Sequence, residues 1–142
     1  MLSTKEIMEK YPWTICKYDD NKEYCMIEDM PTGWRKAFGD EMLEELDKYL
    51  TKYNIKNDYH IIQIKEKFGE LRWYDNGYVR EGKEDYWNII DKYTHKSIYT
   101  CIECGKPATR ISKGWISPYC DDCIDESHSV SIEEFYKKLE EF

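Results

Sequence analysis

Cys101-Ile102-Glu103-Cys104-Gly105 and Cys120-Asp121-Asp122-Cys123 are two Cys-x2-Cys hooks separated by fifteen residues. Four soft thiolates at this spacing make a tetrahedral S4 site, and in a reducing compartment its default occupant is one structural Zn2+. Gly105 fits a knuckle, because a residue without Cβ takes positive φ after the second cysteine and lets backbone N–H groups face the sulfurs. Cys101 and Cys104 precede Lys106-Pro107, which suits such a knuckle. Cys120 and Cys123 follow Ser117-Pro118 and run into Ile124-Asp125-Glu126, which suits the first turn of a helix, with Asp121, Asp122 and Asp125 at its positive end. A knuckle, a hairpin from Ala108 to Ile116 and a helix make a treble-clef-like finger; a zinc ribbon with two knuckles is the alternative. A disulfide pair or a redox Cys-x2-Cys fits less well, since there are two hooks and neither has strand-helix-strand context.

Working outward, residues 84–97 have Tyr86, Ile89, Ile90 and Tyr93 on one helical face and lead directly into Cys101. Before them Tyr59 to Lys65 and Leu71 to Tyr74 read as a hairpin over residues 59–74, turning at Glu66-Lys67-Phe68-Gly69-Glu70. Alternation puts Ile62 and Ile64, with Leu71 and Trp73, on its apolar side. A long helix is expected from Gly33, where Trp34, Phe38, Met42, Leu46, Tyr49 and Tyr53 recur three or four apart, with Gly39 weakening its start. Ser3 and Glu6 are in capping-box register for a helix over residues 3–11, stopped by Pro12, and Ser131 and Glu134 repeat the signal for Ile132 to Phe142. Trp13 to Cys16 and Tyr24 to Ile27 read as arms of a second hairpin. The expected class is α+β, with helices packed on a small antiparallel sheet and a C-terminal treble-clef-like or ribbon-like four-cysteine finger. The expected division is a core over residues 1–98 and a finger with its helix over residues 99–142, packed as one unit.

Across 142 residues, 41% are hydrophobic and 35% charged, a globular balance in which 13 Tyr and 5 Trp supply core area that scarce Val and Ala do not. No stretch approaches a membrane span and no apolar leader region stands at residues 1–6, so with unpaired thiols the expected location is the cytoplasm. The formal charge is −8, and a four-thiolate zinc centre makes it more negative. Such a chain is no general phosphate binder. Residues 105–119 are an exception, carrying Lys106, Arg110 and Lys113 with no Asp or Glu.

Three stretches together resemble a known family. They are Gly33-Trp34-Arg35-Lys36-Ala37-Phe38-Gly39; Ile64-Lys65-Glu66-Lys67-Phe68-Gly69-Glu70-Leu71-Arg72-Trp73-Tyr74; and Cys104-Gly105-Lys106-Pro107-Ala108-Thr109 with Gly114-Trp115-Ile116-Ser117-Pro118-Tyr119-Cys120. Chains of this kind are short proteins of bacteriophages, prophages and their Firmicute hosts, with no activity attached. The resemblance spans roughly residues 31–123. It implies a mobile-element setting in a bacterial cytoplasm and no particular chemistry.

No catalytic constellation is visible. A closed S4 shell leaves no position for a catalytic water, and there is no deaminase His-x-Glu, no phosphate loop and no Gly-x-Ser-x-Gly elbow. Glu66 and Glu70 among Lys65, Lys67 and Arg72 read as a solvated turn ahead of an acid–base cluster. His60, His95 and His128 read as surface or packing residues, with His128 an alternative ligand should one cysteine prove free. Cys16 and Cys25, eight residues apart, read as small buried hydrophobes ahead of a second metal site. The expected function is therefore a zinc-stabilised, non-catalytic interaction protein binding a host or phage protein, for example to inhibit a defence or regulatory factor. The alternative is a nucleic-acid binder in which Lys106, Arg110 and Lys113 contact phosphates while Trp115 or Tyr119 stacks on a base. For Trp115, packing against the knuckle is the plainer expectation. A small-nucleotide site using Lys65, Lys67 and Arg72 is weaker, because the two glutamates interrupt it.

Overall fold

In the computed structural model, which describes residues 1–141, the chain begins with the capped helix expected there. Helix α1 spans Thr4–Lys10; the Ser3 hydroxyl accepts from the Glu6 N–H and the Glu6 carboxylate accepts from the Ser3 N–H. Strands β1 (Ile15–Lys17) and β2 (Glu23–Cys25) pair antiparallel, but the arms are shorter than read. Trp13 and Thr14 lie in a 3-10 turn, as do Met26 and Ile27, and all four side chains enter the core. Burial of these residues outweighs the ladder hydrogen bonds that two longer arms would make.

The long helix is built in pieces. Thr32–Trp34 (α2) runs through a π segment, Arg35–Gly39, into Asp40–Lys52 (α3). The wide π turn carries Phe38 and Gly39 into the core, and Trp34, Met42, Leu43, Leu46, Tyr49 and Leu50 are also buried.

Strands β3 (Ile61–Lys67) and β4 (Glu70–Asp75) form the central hairpin. Its turn is only Phe68-Gly69, both at positive φ, 53° and 81°. That tight form matches the right-handed twist of the flanking strands. One expectation fails: Ile64, Leu71 and Trp73 are buried, but Ile62 is 60% exposed and Ile61 is buried instead. A bulge between Ile61 and Gln63 inserts one residue, which flips the side on which the strand's first isoleucine lies.

Helix α4 (Lys83–Ile98) lies against β4, and α3 packs on α4. Ion pairs Lys92–Glu45 (3.0 Å) and Lys96–Glu41 (3.3 Å) join the two helices, and Phe38 of the π segment stacks on Tyr93 of α4. A buried hydrogen-bond chain ties the hairpin's open end to α4. The Trp73 indole N–H donates to the Tyr59 hydroxyl (2.9 Å), which bonds the Tyr86 hydroxyl (2.8 Å), which donates to Asp75 (2.6 Å). At the other end the Leu71 N–H donates to the buried Ser97 hydroxyl (2.8 Å).

Beyond α4 a three-stranded sheet has order β6-β5-β7, with β5 Arg110–Ser112, β6 Pro118–Tyr119 and β7 Ser129–Ser131. Ser131 caps the closing helix α5 (Ile132–Glu140) as its spacing with Glu134 predicts. Phe142, the expected end of that helix, lies outside the described residues. No helix among the described residues is long and apolar enough to cross a membrane.

Candidate metal centre

The last turn of α4 hands the chain to the first hook. Thr100 bridges Pro107, the Cys101 N–H donates to the Lys106 carbonyl (2.7 Å), and the Gly105 N–H donates back to the Cys101 carbonyl (3.0 Å). This is the expected knuckle, closed by Gly105 at φ 83°. The second hook leaves β6 as a turn in which the Cys123 N–H donates to the Cys120 carbonyl (3.1 Å). The helix expected to carry Cys120 and Cys123 is absent. Residues 121–124 are turns and bends, a 3-10 turn follows at Glu126–His128, and α5 begins only after β7. The Asp125 carboxylate is diverted to the His128 N–H (3.0 Å) and the Ser127 hydroxyl (2.8 Å), a local pattern that favours a turn over helix propagation.

The two hooks bring four sulfurs together. The Sγ atoms of Cys101, Cys104, Cys120 and Cys123 all lie within 4.8 Å of one another, and those of Cys104 and Cys120 are 3.5 Å apart. A tetrahedral Zn–S4 centre needs S···S separations of about 3.8 Å, so the arrangement has metal-binding dimensions. Cys101 and Cys120 are buried, and Cys104 and Cys123 are half-buried at the rim. Burial by itself raises the Cys101 thiol, but backbone N–H groups of Cys104, Cys120 and Glu103 stabilise its thiolate and bring it down to about 7. Burial and the neighbouring cysteines push Cys123 up. Four thiols this close resist losing all their protons together unless a cation compensates the charge.

The centre is pressed against the core at glycine. The Gly33 N–H donates to the Ile102 carbonyl (2.8 Å) and the Trp34 indole N–H to the Thr100 carbonyl (3.0 Å). A Cβ on Gly33 would sit 2.2 Å from the Cys101 carbonyl oxygen, and one on Gly105 2.7 Å from that of Gly33. Close backbone approach therefore explains both glycines.

The other candidate residues are dispersed. His128 is exposed and bonded to Asp125 (2.6 Å), outside the sulfur cluster, and His60 and His95 are exposed. Cys25 is buried with its sulfur 3.6 Å from the Thr14 hydroxyl, and Cys16 is half-buried on β1 opposite Tyr24. The basic loop is less available than its sequence implies. Lys106 pairs with Asp122 (3.3 Å), Arg110 donates to the Ser129 hydroxyl (2.6 Å) and carbonyl (3.1 Å), and Lys113 donates to the Ser127 carbonyl (3.3 Å). Folding returns the 121–129 segment across these side chains, so an absence of acids nearby in sequence does not persist in space. Tyr119 is half-buried, and Arg72 pairs with Glu70 (2.7 Å) while Lys65 and Lys67 lie over the Tyr74 and Phe68 rings.

Trp115 contradicts its expected packing: it is 74% exposed, with its indole N–H donated to the Glu66 carboxylate (2.9 Å). The Ser117 hydroxyl also donates to Glu66 (3.3 Å), so the β3–β4 turn and the β5–β6 loop are held together. Phe68, unmarked by the sequence reading, is 67% exposed at the same place. The tight Lys-Phe-Gly-Glu turn was its available signal. Against known proteins, no family model matches the chain, and neither a curated protein nor a solved structure matches it.

Proposed function

We propose that the chain is a zinc-stabilised, non-catalytic protein-interaction module. One Zn2+ is held structurally by Cys101, Cys104, Cys120 and Cys123, in a ribbon-like finger whose two hooks are both turns. The carrying observation is the convergence of four sulfurs within 4.8 Å, a soft donor set that suits zinc and, once closed, offers no position for a catalytic water. The acidic balance of −8 supports a protein over a nucleic acid as the partner. The internal engagement of Lys106 and Arg110 supports the same choice. The resemblance to phage and prophage proteins supports a host or phage protein as that partner, bound in the bacterial cytoplasm, with inhibition of a defence or regulatory factor as one form of the interaction.

Protein purified under reducing conditions without added metal is expected to carry about one zinc per chain by elemental analysis, because a four-thiolate site scavenges zinc tightly. A ratio near zero in well-folded protein overturns the metal assignment. Labelled duplex DNA and RNA are expected to show no sub-micromolar binding at about 150 mM salt, where weak surface attraction is screened. Sub-micromolar binding abolished by the triple change of Lys106, Arg110 and Lys113 to Ala overturns the protein-partner reading.

A further inference from the structure

Two turns far apart in the sequence meet beside the finger and present aromatic rings to solvent. Phe68 and Trp115 are 67% and 74% exposed, and with Lys67, Gly114 and Ile116 they line a cavity of about 200 Å3. Isolated exposed apolar residues are ordinary on protein surfaces, but two large rings flanking one cavity are a patch. We propose that this slot docks one large apolar side chain from an acidic segment of a partner protein, an assignment that rests on the protein-interaction function proposed above.

Three observations carry the proposal. The first is that the exposed Trp115 ring is held in place and that an exposed aromatic ring is kept at Phe68 on a strained backbone. The Trp115 indole is fixed by Glu66 (2.9 Å), which also accepts from the Gly69 N–H (2.7 Å). Phe68 adopts φ 53°, a left-handed backbone that a bulky residue occupies only at a cost in strain, where glycine would sit freely. Rigid aromatic anchors lose little entropy on binding, which is what an interface centre needs.

The second observation is size. A volume of about 200 Å3 falls below the range of cofactor and drug-sized sites, which runs from roughly 300 to 1,000 Å3. It suits a single anchoring side chain. The third is charge. Lys67 lines the slot and lies over the Phe68 ring, and Lys113, whose ammonium bonds the neutral Ser127 carbonyl (3.3 Å), adjoins Gly114. Neither lysine is ion-paired with a carboxylate among the described residues: Glu70, across from Lys67, pairs with Arg72 (2.7 Å), and Glu66 is occupied by the two turns it joins. A positive rim on a chain of net charge −8 selects a partner segment rich in Asp and Glu.

The test uses the zinc-loaded full chain against a library of random displayed peptides, with Trp115→Ala, Phe68→Gly and Lys67→Glu as variants. Phe68→Gly removes the ring and relieves the left-handed strain, so this variant is expected to melt at least as high as the parent and to keep its zinc. Selected peptides are expected to carry Leu, Phe or Trp among acidic residues. Their affinity is expected to fall about thirtyfold with Trp115→Ala or Phe68→Gly, and to fall also with Lys67→Glu or added salt. Peptides that keep full affinity for the ring variants overturn the slot while leaving a protein partner in place. Trp115-dependent binding of a single-stranded oligonucleotide, without peptide enrichment, overturns both. An empty selection, or a concentration-dependent dimer lost in Trp115→Ala, overturns the acidic-segment assignment.

Discussion

Glu45 sits where α3 meets α4, taking hydrogen bonds from the Tyr93 hydroxyl and the Lys92 ammonium. Partial burial by itself raises its carboxyl, but the donors from Tyr93 and Lys92 outweigh it, and the group lies below its ordinary 4.5. A carboxyl more acidic in the folded than in the unfolded chain contributes stability that is complete above about pH 4.5 and lost as the pH falls through the folded value. Urea unfolding of the parent and Glu45→Gln is expected to show the variant less stable near neutral pH, with the gap closing as the pH falls from 4.5 through the lower folded value. A gap that persists in acid contradicts this assignment. The cysteines divide just as sharply. Cys104→Ser is expected to lose the metal and much of the finger's stability, because removing one ligand opens the shell. Cys16→Ser, on β1 away from the cluster, is expected to leave the metal-to-protein ratio unchanged.

Among the elements, α2 meets the first knuckle backbone to backbone. Gly33→Ala would place a methyl group 2.2 Å from the Cys101 carbonyl oxygen, a clash with backbone that no rotamer relieves. It is expected to destabilise the fold by about 3 kcal/mol, read as a lowered melting temperature, and to weaken zinc retention. An unchanged melting temperature contradicts the close approach. Where α4 meets β4, Ser97→Ala would leave the Leu71 N–H without its partner inside the protein. A loss of about 1–3 kcal/mol in chemical denaturation is expected. At this scale the hairpin was readable from β-branched alternation, and the serine caps at Ser3 and Ser131 from their three-residue spacing to Glu6 and Glu134, although only the first forms a reciprocal capping box. The π segment was not, because its apolar positions recur three and four apart as in any α-helix, and the wider turn follows from how Phe38 and Gly39 pack.

For the whole molecule, the finger and the core share hydrogen bonds at Gly33, Trp34, Glu66 and Ser117. Metal removal by a chelator under reducing conditions is therefore expected to lower the stability of the whole chain in one transition. Exposure of buried Trp34 should accompany it as a red shift in tryptophan emission. Two separate transitions, with Trp34 still protected in the first, contradict the coupling. The sequence by itself determined which four cysteines cluster as the candidate metal site, because Cys-x2-Cys spacing is local covalent geometry. It also determined the α+β class, because apolar periods of two and of three to four are properties of neighbouring residues. The tertiary structure alone decided the form of the second hook, where Asp125, Ser127 and His128 close turns in place of a helix. It alone decided the bulge that exposes Ile62, since strand register depends on which residues the core accepts. It alone placed Phe68 and Trp115 around one cavity, because the two lie forty-seven positions apart, and no local pattern encodes which distant turn will meet which.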